Sequence, residues 1–232
     1  MLILAIDTAL DACAAVVLDT DKNKVIAQES AAMKRGHAEA LMPLVARMMK
    51  QSGIAFDALD RIAATTGPGS FTGLRVGLSA ARGIALAASK PVVGITTLTA
   101  YAAPHVSEDG EHPIISAIDA RHDHVYLQAV TGQGESLLTP RVAPIEEALA
   151  ASRFGAPHLV GNAATMLAGR WPKDAPPPVK VDQQAAPDIV WVAWLAAAVD
   201  PAVATPRPFY LRAPDAKPPA DQLPRATETQ AT

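Results

Sequence analysis

A short unit stands twice in this chain, and it limits the possible folds more than any other feature. Leu4-Ala5-Ile6-Asp7 is an apolar run ending in an aspartate; it turns through Thr8-Ala9-Leu10-Asp11 into a second apolar run, residues 13–18. Ala117, Ile118, Asp119 and Asp123 stand 112 positions after Ala5, Ile6, Asp7 and Asp11, again between two apolar runs, residues 114–118 and 125–130. Apolar runs bounded by turn residues suit buried strands. A strand–Asp–turn–strand hairpin opening each half predicts an internal duplication.

The rest of the first half alternates in period. Residues 25–30 predict a third strand, and Gly36-His37 opens a helical pattern with Ala38, Leu41, Met42, Val45, Met48 and Met49 on one face. Pro43 lies inside that pattern and predicts a kink or a late start, and Gly53 ends it. A strand over 61–66, a helix running to Ser89 and a strand over 91–95 complete a β-β-β-α-β-α-β order, an α/β arrangement with a right-handed crossover.

Polar residues 105–113 mark a boundary, so the expected organisation is a lobe over 1–104 and a smaller lobe over 105–187. The second half is proline-rich: 15 of the 20 prolines fall between Pro140 and Pro224. It predicts a short helix over 145–152 and short strands over 158–160 and 179–181. Asp188 caps a helix over 189–199 that is apolar all round and therefore buried, returning to the first lobe between the halves. Residues 213–232 read as an extended or mobile tail.

Composition excludes several function classes. Twenty Lys and Arg against 23 Asp and Glu give a charge of −3, without the basic excess that phosphate neutralisation demands of a self-sufficient nucleic-acid binder. The 48 alanines and the low charged fraction of 19% suggest a surface partly covered by another subunit. The single cysteine, Cys13, excludes an intramolecular disulfide and a multi-cysteine zinc site and reads as a core residue. Neither a secretory leader nor a run long enough to span a bilayer stands out, so a cytoplasmic protein is expected.

Few residues carry chemistry. Asp7 and Asp119 could each hold a metal-bound or water-bridged phosphate; equally, each could cap the backbone of its own turn. The glycine-rich turn Gly67-Pro68-Gly69-Ser70 leaves a strand and starts a helix, so Gly67, Gly69 and Ser70 could present N–H groups to an anion. It lacks the lysine of a P-loop, and a tight turn without ligand explains the glycines as well. Gly73, Gly77 and Ala81 repeat at four-residue spacing, and with Leu74 and Val76 they form a small-residue helix beside the Met-rich one. These two faces either pack on their own sheet or meet a second protein. His122-Asp123-His124 and His37 lack a third ligand set by spacing, no metal site is expected, and no catalytic nucleophile stands out.

Leu4-Ala5-Ile6-Asp7-Thr8-Ala9, the run from Gly67-Pro68-Gly69-Ser70-Phe71-Thr72-Gly73 to Leu74-Arg75-Val76-Gly77, Ile118-Asp119-Ala120-Arg121 with Val125-Tyr126, and Phe209-Tyr210-Leu211-Arg212 together resemble a known family. It is TsaB, the YeaZ-type subunit of the bacterial machinery that makes threonylcarbamoyladenosine in tRNA, and the resemblance spans residues 1–212. It implies the duplicated actin-like ATPase fold of sugar kinases and heat-shock ATPases, with the second lobe reduced. It also implies a noncatalytic subunit that binds and activates a paralogous catalytic subunit, TsaD, alongside an ATPase subunit, TsaE. The complex places threonylcarbamoyl on N6 of the adenosine beside the anticodon in tRNAs reading ANN codons. ATP and a metal are then expected on the partners, none on this chain, and tRNA is met through the complex. Contact with TsaD, or with a second copy, is expected through Leu41, Met42, Val45, Met48, Met49, Leu74, Val76, Gly77 and Ala81. Thr97 and Tyr101 stand where the catalytic paralogue carries two metal-binding histidines, and neither is a competent ligand. A stand-alone kinase-like phosphotransferase or a peptidase-like protein are the rival readings.

Overall fold

The computed structural model describes residues 1–212; the tail expected over 213–232 lies outside the described residues. Strands β1 (Leu2–Asp7), β2 (Ala12–Asp19) and β3 (Lys24–Ala32) form an antiparallel meander. Helix α1 (His37–Ser52) leads on to β4 (Arg61–Gly67), and α2 (Phe71–Ala88) leads to β5 (Val92–Thr96). Because β4 pairs parallel with both β1 and β5, the first sheet has the order β3-β2-β1-β4-β5. Helix α3 (Thr97–Ala102) then carries the chain across.

The second sheet repeats the plan. β6 (Ile114–Arg121), β7 (His124–Val130) and β8 (Ser136–Pro144) form its meander; α4 (Ile145–Ala148), β9 (His158–Val160), α5 (Ala164–Gly169) and β10 (Lys180–Asp182) follow, and the order is β10-β9-β6-β7-β8. The first three strands begin at residues 2, 12 and 24 in one lobe and at 114, 124 and 136 in the other, so all three keep the 112-residue offset of the sequence repeat. The fourth strands begin at 61 and 158, an offset of only 97, because the connection holding the 16-residue α1 in the first lobe holds only the four-residue α4 and a short 3-10 segment in the second. Two sheets of matching order are the duplicated actin-like ATPase fold, with a reduced second lobe.

Apolar layers cover the first sheet on both faces. Leu41, Val45 and Met48 of α1 and Leu78, Ala81 and Ile84 of α2 pack on one face. Helix α6 (Ile189–Ala198) covers the other with Ile189, Val192 and Ala196, so this all-apolar helix lies against the first sheet rather than between the halves. Asp188 Oδ1 accepts from Val190 N at 3.0 Å as its cap. A smaller cluster joins the lobes: Ala9, Leu10 and Leu74 from the first meet Ile114, Ile118 and Val160 from the second, with Tyr101 of α3 among them.

Three elements go beyond the expectations drawn from the sequence. β8 carries Pro140 and Pro144, which argue against a central strand, but it is an edge, where a proline costs no ladder bond. α3 and α5 are six residues each, too short for a helical period to show. Pro43 does not delay α1, which runs from His37, and the proline and Glu39 one turn before it are both exposed.

Candidate functional site

The carboxyl ends of β1, β4 and β6 meet at a cleft between the lobes, with a volume of about 420 Å³. Its walls are the β1–β2 turn (residues 9–11), the start of α2 (68–72), the β6–β7 turn (119–121), Tyr126, Asn162 and the returning segment 209–212. Of the five residues expected to touch an anion, Gly69, Ser70 and Asp119 line this cleft; Asp7 and Gly67 do not.

The two repeated aspartates do the same local work. Asp7 Oδ1 accepts from Ala9 N at 2.9 Å, and Asp119 Oδ1 accepts from Arg121 N at 2.7 Å, each two residues ahead. Both therefore cap their hairpin turns, the bland reading of each. Asp119 is exposed, and its own N–H donates to Asn162 Oδ1 at 2.8 Å. Asp7 is fully buried and takes a further bond from Thr65 Oγ1, while its Oδ2 has no hydrogen bond. Burial pushes the Asp7 carboxyl up, against the lowering by Thr65 and the Ala9 amide. Buried inside the lobe, bonded to Thr65 and Ala9 and absent from the cleft's lining, Asp7 is not placed to hold a phosphate or metal in the cleft, so that expectation is corrected.

The glycine-rich turn is shaped by the β1–β2 turn pressed against it. Ser70 N donates to Ala9 O at 2.7 Å, and Ser70 Oγ caps α2 by accepting from Gly73 N at 3.3 Å. A Cβ on Gly69 would sit 2.4 Å from Ala9 O. The Ser70 amide is thus already bonded within the chain, and Gly69 is needed for clearance. Gly67, at φ 107 before a cis Pro68, lies against Leu74 and the Phe209 carbonyl.

The expected partner-binding face is corrected too. Leu41, Val45, Met48, Met49, Leu74, Gly77 and Ala81 are buried inside the first lobe, because the apolar stripes of α1 and α2 are what covers its sheet. Of the nine, only Met42 is exposed, with Val76 half-buried. What the two helices leave outside is an apolar groove of about 700 Å³ lined by Met42, Phe56, Ala80, Gly83, Ile84 and Ala87, among others.

Thr97 and Tyr101 lie one turn apart on α3, both buried, and the Tyr101 hydroxyl donates to Gln184 O at 2.9 Å. Burial pushes the Tyr101 phenol upward, further from any metal-binding form. His122 and Asp123 sit in the β6–β7 turn with positive φ, and His124 Nδ1 lies 2.6 Å from His122 O; His37 is buried on Leu10 O instead. Among the described residues no group of three or more His, Cys, Asp or Glu could hold a metal ion, and no helix is long and apolar enough to cross a membrane. Sequence reasoning missed Asn162, whose only signal is its place after Gly161 at the end of β9, and gave Phe71, Arg75 and Tyr210 no role beyond their motifs.

Fold and cleft define the class: a two-lobed actin-like protein whose glycine-rich and Asp-bearing turns are bonded within its own chain. The family model described as "TsaD: tRNA N6-adenosine threonylcarbamoyltransferase" matches residues 24–183, and the chain belongs to that family. Within it, the likeness to TsaB expected from the motifs is borne out. The tRNA threonylcarbamoyladenosine biosynthesis protein TsaB of Haemophilus influenzae is 34% identical over 128 residues, covering 55% of this chain and 53% of that one. A tRNA N6-adenosine threonylcarbamoyltransferase of Novosphingobium aromaticivorans is 32% identical over 160 residues, covering 60% of this chain and 46% of its own. The match therefore spans about half the length of these curated relatives. The solved structure of YeaZ from Pseudomonas aeruginosa matches over 90% of this chain and 99% of its own, with a TM-score of 0.72 and 29% identity.

Proposed function

We propose that this chain is a noncatalytic subunit in the biosynthesis of threonylcarbamoyladenosine in tRNA, acting by binding and activating a TsaD-type catalytic subunit. The observation that carries the docking role is the groove between α1 and α2. It exposes Met42 and Phe56 beside Ala80, Gly83 and Ala87, a row of small residues that lets a second helix approach. Names of relatives support the pathway, and the replacement of two metal ligands by Thr97 and Tyr101 supports the noncatalytic role. ATP turnover and the metal then belong to the TsaE and TsaD partners, and a homodimer would use the same groove.

Reconstitution tests this reading. Unmodified tRNA, threonylcarbamoyl-adenylate and a TsaD-type subunit with TsaE are combined with and without the chain, and the modified nucleoside is quantified. Modification that needs the chain, with none from the chain alone, is the expected result. Turnover of ATP by the isolated chain would favour the stand-alone phosphotransferase instead.

A further inference from the structure

Two rings that line the cleft, Phe71 and Tyr210, form a stack with the neighbouring Arg75. The Arg75 guanidinium lies 3.8 Å from the centroid of the Phe71 ring, and the Tyr210 ring lies 5.3 Å from Phe71 at an interplanar angle of 31°. The rings are 37% and 43% exposed, in a chain with only ten aromatic residues. Two exposed aromatic rings placed side by side need a reason.

Fastening the returning segment is not that reason, because its neighbours do the fastening. Phe209 N donates to Thr66 O at 2.8 Å, Leu211 packs into the cluster joining the lobes, and Arg212 Nη1 donates to Ala120 O at 3.3 Å. Tyr210 lies between these anchors and remains partly exposed, in contact with Phe71. Phe71, at the first turn of α2, is exposed, whereas Leu74 and Leu78 of the same helix are buried.

We propose that the Arg75–Phe71–Tyr210 stack is a platform for an unpaired nucleobase of the tRNA. Stacked aromatic rings backed by an arginine bind bases through their π faces, with little dependence on sequence. Such contact also suits the charge of this chain. At −3 it cannot grip phosphates broadly, and stacking needs no basic field. Arg121, on the opposite lip of the same cleft, adds one cation where the backbone of a docked nucleotide would pass.

This inference rests on the reading above, and the test keeps the two apart. The reconstituted complex is assayed for its KM for unmodified tRNA with wild-type chain, Tyr210→Leu, Phe71→Leu and Tyr210→Phe. The leucine variants keep an apolar side chain and remove the ring; they should raise the KM for tRNA about ten-fold, the scale of losing one base stack, with kcat little changed. Tyr210→Phe should retain the wild-type value. An unchanged KM in both leucine variants overturns the platform while the subunit reading stands. Loss of co-elution with the TsaD-type partner, at equal tRNA KM, assigns the rings to protein contact and overturns it as well. If wild-type chain gives no stimulation at all, the subunit reading fails and the platform falls with it.

Discussion

Thr8 and Gly73 are in backbone contact across the first lobe. Thr8 Oγ1 donates to Gly73 O at 2.7 Å, and a Cβ on Gly73 would sit 2.1 Å from the Thr8 carbonyl. Gly77, one turn on, meets Thr8 Oγ1 in the same way, at 2.5 Å. The spacing of glycines along α2 thus records how closely the helix lies on the end of β1. It is a packing device, which is why Gly77 is buried against the end of β1 rather than offered to a partner.

Gly73→Ala should therefore destabilise the fold by at least about 1–3 kcal/mol, the usual cost of forcing extra volume into a packed site. Gly83 on the same helix has nothing within 4 Å of its would-be Cβ. Gly83→Ala should stabilise by up to about 1 kcal/mol through helix propensity alone. Urea unfolding of both variants separates the two cases; equal midpoints would contradict the packing account.

The duplication was legible because its buried strands leave continuous apolar runs and their turns leave Asp residues in register. The offset of 112 residues survives in three strands of each meander, so the hairpins could be found by alignment alone. The site was legible only in part. The repeated aspartates were visible, but a sequence does not say that Asp7 is buried and Asp119 exposed, since both follow the same apolar run. The partner face was misplaced for a related reason. An amphipathic stripe fits a sheet of its own lobe or a second protein equally well, and only the fold shows that the first sheet claims Leu41, Val45 and Met48.

Asp7 gives the structure a pH dependence. Its native carboxyl is raised above the ordinary 3.8 by burial, so between 3.8 and that raised value the native state holds the proton more firmly than the unfolded chain. Stability from this group falls as pH rises through that window and stays low above it. In Asp7→Asn the side-chain oxygen can still accept from Ala9 N, and the charge is gone. The variant should melt higher than wild type at pH 8, with the gain shrinking on acidification. A melting temperature lowered equally at pH 5 and pH 8 would falsify this account.

A second, opposite dependence comes from the base of the second lobe. His105 and His158 stand with ring centroids 5.7 Å apart, and His112 lies 5.8 Å from His158. Burial holds both His105 and His158 below the usual 6.5; Lys180 adds to this for each and His112 for His158, while Asp182, 3.5 Å from His105, works against it. The unfolded chain thus protonates first, and stability is lost as pH falls below 6.5. His158→Gln should reduce the drop in melting temperature between pH 7.5 and pH 5.5. A drop as steep as that of wild type would place the acid sensitivity elsewhere.

The corrected partner face makes the sharpest distinction between surface and core. Gly83 and Ala87 lie on the exposed side of α2 and border the groove, whereas Val45 is fully buried beneath it. An arginine at position 83 has open space in the free chain, and a docked helix would have to leave that space. Gly83→Arg should keep the wild-type circular dichroism and melting temperature within a few degrees and abolish co-elution with a TsaD-type partner in size-exclusion chromatography. Val45→Glu should instead unfold the first lobe, because an unpaired charge in an apolar core costs several kcal/mol, roughly the whole stability of a small domain. A folded Gly83→Arg chain that still co-elutes would remove the groove from the interface, and the search would move to surfaces away from α1 and α2.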